Sequence, residues 1–302
     1  ANLAACKSLG FSTEEDFVTR GPLPPDGNQI ISDGDLLGPN HAVCMRNAEL
    51  LALWKVGGDL GLDAVDVVDV EQNLVAFSTE LDDPNGRFFA GDLLTNKGAA
   101  IPNTILLRKF QVGHDLGLDG LQFIGAATGI IGFLNRAAEL SRDDWFHNPG
   151  LIYDLLGSFK VDIWISTESN ELRAATIPIY DGDLLSVYNG AIVIKQADLL
   201  PLGVPAGLPD RGVDFGLDAV AASRNGDIRT VRFSTEILYR KEPAFTDGDV
   251  LKKGDGIESP NAALVAPFEP YAKFLGLDAL HILLPASAIR LGYLPLVLRD
   301  TR

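Results

Sequence analysis

Short apolar or alternating runs, each closed by Gly, Asp, Asn or Pro, recur along the whole chain. Gly190-Ala191-Ile192-Val193-Ile194-Lys195 and Val65-Asp66-Val67-Val68 are of this kind, and such runs predict β-strands. Polar turns such as Glu71-Gln72-Asn73 and Asn225-Gly226-Asp227 separate one run from the next. One stretch departs from the pattern: between Gly129 and Gly157, residues Ile130 to Leu140 have helical spacing and Asn148-Pro149-Gly150 breaks it.

The runs are organised by an internal repeat with four markers in constant order. The first is Gly-Asp-Leu-Leu, at Gly34, Gly91 and Gly182, with Gly248-Asp249-Val250-Leu251 as the fourth copy. An Asp precedes the Gly at Asp33, Asp181 and Asp247, and Ala90 takes that place in the second copy. The second marker is an amide residue, a small residue and then an apolar pair, beginning at Asn47, Asn103, Gln196 and Asn261. It reads as an N-cap opening one or two helical turns, with Gln a poor cap. The third is Gly-Leu-Asp-Ala/Gly, with its Asp at Asp63, Asp119, Asp218 and Asp278. The fourth is Phe-Ser-Thr-Glu, ending at Glu14, Glu80 and Glu236, with Ile165-Ser166-Thr167-Glu168 as the divergent copy.

These markers divide the chain into units at about 31–80, 88–168, 179–236 and 245–300, with an insertion at 129–157 in the second unit. A segment at 8–16 carries a fourth marker with no third marker before it. It is expected either to complete the last unit or to begin a partial one, and Leu294-Pro295-Leu296-Val297-Leu298 falls where the last strand of the fourth unit is due. Units with short strands and Gly/Asp turns predict an all-β fold, a small β-propeller of four units, or five with one incomplete, with a helical insertion in the second. In this the chain resembles the repeat-built secreted β-propeller proteins of bacteria. The resemblance is architectural and implies no catalytic residue.

Charge narrows the partners. With 41 acidic and 25 basic side chains the formal charge is -16, which disfavours nucleic acid and anionic lipid and favours cations. No apolar run is long enough to span a bilayer. The opening Ala1-Asn2-Leu3-Ala4-Ala5-Cys6 resembles a mature start after signal cleavage, so an extracellular or periplasmic protein is expected. Cys6 and Cys44 either form a disulfide or remain two buried thiols.

Three candidate chemistries follow. The Asp-Gly-Asp turns place carboxylates in close pairs, so Asp33 with Asp35, Asp181 with Asp183 and Asp247 with Asp249 are candidate calcium ligands. The same acids also serve as ordinary turn acceptors, as does the Asp of Gly-Leu-Asp-Ala. A ring of Glu14, Glu80, Glu168 and Glu236 lining a channel mouth is an alternative expectation that depends on which face each strand end presents. Asp143, Asp144, Trp145 and His147 in the insertion break the repeat and form the most site-like cluster for binding, or for a carboxylate-dependent glycoside hydrolase. No nucleotide, haem or zinc signature is present. The function expected from these readings is a secreted structural or binding protein that recognises a protein or glycan and is calcium-stabilised, with homo-oligomers by strand exchange as a further expectation.

Overall fold

The computed structural model describes residues 2–173 and 175–285. Its strands are short, and most belong to four four-stranded antiparallel sheets. The first sheet joins β1 (Leu9–Phe11), β4 (Leu36–Gly38), β5 (Ala42–Met45) and β18 (Leu280–Ile282) in the order β18-β1-β4-β5. The second runs β6 (Val65–Asp69), β7 (Leu74–Phe77), β8 (Leu93–Thr95), β9 (Ala100–Ile101). The third runs β10 (Leu121–Ile124), β11 (Asp162–Ile165), β12 (Leu184–Ser186), β13 (Ala191–Ile194). The fourth runs β14 (Val220–Ala221), β15 (Arg232–Phe233), β16 (Val250–Lys252), β17 (Gly256–Ser259). A fifth, two-stranded sheet pairs β2 (Phe17–Val18) with β3 (Ile30–Ile31).

Helix is present in comparable measure. The second marker folds in every copy as a one-turn helix: α1 (Asn47–Leu50), α2 (Asn103–Leu106), α6 (Gln196–Leu199) and α7 (Asn261–Val265). Three of these run on into 3₁₀ turns at Ala52–Trp54, Arg108–Phe110 and Ala266–Phe268. The insertion supplies α3 (Ala127–Ala137), α4 (Arg142–His147) and α5 (Leu151–Phe159). In α3 the buried residues Ile130, Phe133, Leu134 and Ala137 follow the i, i+3, i+4, i+7 spacing of a single apolar face. They join Phe110, Phe123 and Trp145 in the largest core cluster.

The expectation of an all-β β-propeller, and with it the resemblance to the bacterial propellers, is therefore overturned. The fold is mixed α/β, and its five sheets are discrete and unclosed, since no hydrogen-bonded ladder carries one into the next among the described residues. The second marker and the insertion put too much of the chain into helix for an all-β class. Recognition or hydrolysis on a propeller face loses the surface from which it was argued. The segment Leu294 to Leu298 lies outside the described residues. The neighbour of β18 is instead β1, which pairs on one side with β18 (Leu9 with Ile282, Phe11 with Leu280) and on the other with β4.

The inner strands pack in sequence: β6 against β10, β10 against β14, β14 against β18, and β18 against β6. This packing brings together the third and fourth markers, which lie at corresponding strand ends. In all four units the marker serine's N–H donates to the carbonyl of the residue after the Gly-Leu-Asp aspartate: Ser78 to Ala64, Ser166 to Gly120, Ser234 to Ala219 and Ser12 to Ala279.

Candidate acidic cation site

Each residue of Ser-Thr-Glu has its own task. The serine hydroxyl links neighbouring units by donating to the leucine carbonyl of the next Gly-Leu-Asp: Ser12 to Leu62 at 2.7 Å, Ser78 to Leu118 at 2.7 Å and Ser234 to Leu277 at 3.3 Å. The threonine hydroxyl donates to the carbonyl two residues on, in Thr13, Thr79, Thr167 and Thr235 alike. That bond closes a local turn and fixes the direction of the glutamate it spans. The glutamate then lies over the glycine of its own Gly-Leu-Asp. A Cβ on Gly61 would fall 2.5 Å from the Glu80 carboxyl carbon, and one on Gly276 would fall 2.0 Å from that of Glu14. Glu168 over Gly117 and Glu236 over Gly216 repeat the arrangement.

The four Gly-Leu-Asp aspartates are buried beneath these glutamates. Asp119 is 3 % exposed, Asp63 and Asp218 are 7 % exposed, and Asp278 is 8 % exposed. Carboxylate oxygens of Asp63, Asp119 and Glu168 lie within 4.8 Å of one another, and so do those of Glu14, Asp218 and Asp278. Buried carboxylates are ordinarily hydrogen-bonded. Here both oxygens of Asp119, Oδ2 of Asp63 and Oδ2 of Asp278 have no hydrogen-bond donor.

Electrostatics reinforces the anomaly. Burial first, and then neighbouring carboxylates, push Asp63, Asp119, Asp218 and Asp278 well above the usual carboxylate range. Burial, followed by Asp247, raises Glu14 to about 7, and burial, followed by Asp214, raises Glu236 to about 7. Glu80 meets Asp278 at hydrogen-bonding range, a contact that two carboxyls make by sharing a proton. The charges acting most strongly on the four aspartates are all negative.

The Asp-Gly-Asp turns split into two roles. The second aspartate of each turn is engaged by backbone: Asp35 accepts from the N–H of Ser32 and Asn47, Asp249 from Thr246 and Asn261, and Asp183 from Gln196. Asp35 is also paired with Arg46. The first aspartates stand behind the glutamates. Asp33, raised by burial and then by Glu80, sits at about 6, while Asp181 is raised by burial and by its contact with Asp214. Asp247 acts on Glu14. Among the described residues neither group of three ligands includes a turn aspartate.

The amide of the second marker does not cap its helix. Asn47 is the first helical residue, and its side chain braces the site loop by donating to Gly34 and Gly61 and accepting from the Leu60 N–H. Asn103 does the same with Gly91, Gly117 and Leu116. Gln196 bonds Gly216 and Phe215 in the same manner, so the longer amide is no defect.

The insertion residues form no common site. Trp145 is fully buried in the core. Asp144 closes a capping box with Ser141, and His147 Nδ1 lies 2.7 Å from the Asp143 carbonyl within the same short helix. Arg142 reaches out of that helix to pair with Asp92 in the second unit's turn. Cys6 and Cys44 form a disulfide that fastens the N-terminal turn to β5.

Sequence reasoning assigned the Gly-Leu-Asp aspartates to turn bonding and so missed the floor of the site. The available signal was an acid at one position in every copy, beside an invariant glycine and a second recurring acid, with no basic residue in either marker. Among the described residues no helix is long and apolar enough to cross a membrane. Comparison of the chain with protein-family profiles, curated proteins and solved structures finds no match in any of the three.

Proposed function

We propose that this chain is a divalent-cation-binding protein and that calcium, a hard ion of suitable size, is held by the converging aspartates and glutamates. The observation that carries the reading is Asp119, buried with both oxygens lacking a donor and facing Asp63 and Glu168. Oxygens opposed across an ion with ligand distances of 2.3–2.6 Å are separated by about 5 Å, and the oxygens of each triad lie within 4.8 Å of one another, close enough to share one ion. Magnesium asks for shorter distances and a stricter octahedron, and zinc prefers nitrogen or sulfur, which the triads lack. A bound cation supplies the positive charge missing from the cluster, so binding and folding are coupled. The disulfide supports an exported protein, working where calcium sites with dissociation constants of about 10⁻⁴–10⁻³ M fill.

Thermal unfolding of chelator-treated protein tests this directly. Calcium at about a hundred times its dissociation constant should stabilise the fold by about 2.7 kcal/mol, a rise in Tm of about 5 °C. Magnesium at the same concentration should do less. The quadruple change Asp63→Asn, Asp119→Asn, Asp218→Asn and Asp278→Asn replaces four acids that folding buries at a cost, while keeping shape. It should raise the calcium-free Tm and abolish the response. An unchanged Tm for the wild-type protein across millimolar calcium would refute the assignment.

A further inference from the structure

We propose that the cluster holds two cations in separate halves, and that the one bound by Glu14, Asp218 and Asp278 clasps the N-terminal segment to the unit that follows Gly276. This rests on the cation-binding reading above and adds to it the number of ions and the consequence of filling one half.

The two triads share no ligand. They are built alike: Asp63 comes from one unit, and Asp119 and Glu168 come from the next, whose Gly117 makes room for Glu168. Asp218 comes from one unit in the same way, and Asp278 and Glu14 come from the next, whose Gly276 makes room for Glu14. The halves are thus related as the first two repeats are to the last two. Each has its own donor-free buried oxygens, on Asp63 and Asp119 in one half and on Asp278 in the other. Among the described residues no ligand group takes members from both triads, as a single central ion would require. Charge permits two ions, because eight carboxylates exceed the charge of two divalent cations.

The halves differ in what they join. Asp63, Asp119 and Glu168 belong to one continuous stretch of chain, whereas Glu14 and Asp278 come from its opposite ends. Those ends are also held by the three-residue ladder of β1 with β18, by the Ser12 bonds to Ala279, by a bond from Gly276 N–H to Glu15, by Thr19 and Arg20 on the Phe268 carbonyl and by the packing of Phe11 and Phe17 on Phe268. An ion ligated by both Glu14 and Asp278 joins residues from near the two ends of the described chain, and because its ligands meet only in the fold it stabilises the folded state.

Calcium stoichiometry by equilibrium dialysis, combined with amide exchange in Leu9–Phe11, tests the proposal. The wild-type protein should bind two ions per chain, and Asp119→Asn and Asp278→Asn should each bind one. Calcium should slow exchange in Leu9–Phe11 in the wild type and in Asp119→Asn, but not in Asp278→Asn. Both changes are isosteric and replace a buried acid by a neutral amide, and near-ultraviolet circular dichroism confirms that each variant is folded. One ion in the wild type, lost in either variant, means a single shared centre and overturns the proposal while leaving cation binding intact. Retention of full stoichiometry by Asp278→Asn overturns it as well. No binding at all refutes the cation-binding reading itself.

Discussion

Gly61 has φ +74°, in the left-handed region, and a side chain there would strike the Glu80 carboxylate. Both demands fall on one residue because the turn that releases the strand also leaves space for the acid above it. Gly61→Ala should therefore cost about 1–2 kcal/mol from backbone conformation alone. It should also weaken calcium binding, because displacing Glu80 breaks its contact with Asp278, a ligand of one triad. Urea midpoints with and without calcium measure both effects, and Gly57→Ala, whose Cβ would meet nothing within 4 Å, is the control. At this scale the glycine was legible as a turn residue, but the state of Asp119 was not. An aspartate after Gly-Leu ordinarily accepts backbone N–H groups, and only the meeting of four separate loops determines that none arrives.

The packed strands are joined at a second place by a polar knot centred on Asp66 of β6, which is 1 % exposed. Its carboxylate accepts from Gln122 Nε2 at 3.1 Å and Phe123 N–H at 2.9 Å on β10, and from both terminal nitrogens of Arg224, just beyond β14. His281 of β18 lies 3.3 Å away. Burial would raise this carboxyl, but Arg224 and then His281 outweigh it and hold it at about 2. A depressed carboxyl stabilises the fold above its unfolded value near 4, and that contribution is lost as pH falls through about 2. The acid limb of a stability–pH curve between these values should accordingly flatten in Asp66→Asn. Arg224→Ala leaves the charge buried without its main partner and should cost about 3–5 kcal/mol at neutral pH, measured by urea unfolding. Strands and the helix α3 were legible here, since apolar periodicity specifies each locally. The knot was not, because Asp66 and Arg224 lie in different units outside the four markers. The helix-capping reading of Asn47 failed for a related reason: the amide braces a distant loop, and Arg46 precedes it at the helix start.

Repetition defines a unit without specifying how units add up. The four markers correctly announced recurring short strands, yet the same pattern led to an all-β class that the one-turn helices and the three-helix insertion overturn. What unites the whole molecule is the treatment of its N-terminal segment, whose β1 is paired on both sides within its own chain. The Cys6–Cys44 bond spans 38 residues, and in a chain-entropy account a loop of that length contributes about 4 kcal/mol. Cys6 and Cys44 pack with Leu3, Leu36 and Met45, in a core cluster apart from the one that holds Phe11 and Leu280. The disulfide and the proposed ion thus fasten the same segment at different points, one acting on the unfolded chain and the other on the folded state alone. Their effects should add. Reduction should lower Tm by a similar amount with and without calcium, and the rise in Tm produced by calcium should persist in the reduced protein. If reduction abolished that rise, the disulfide would be what positions Glu14, and the cation would lock a segment already held in place.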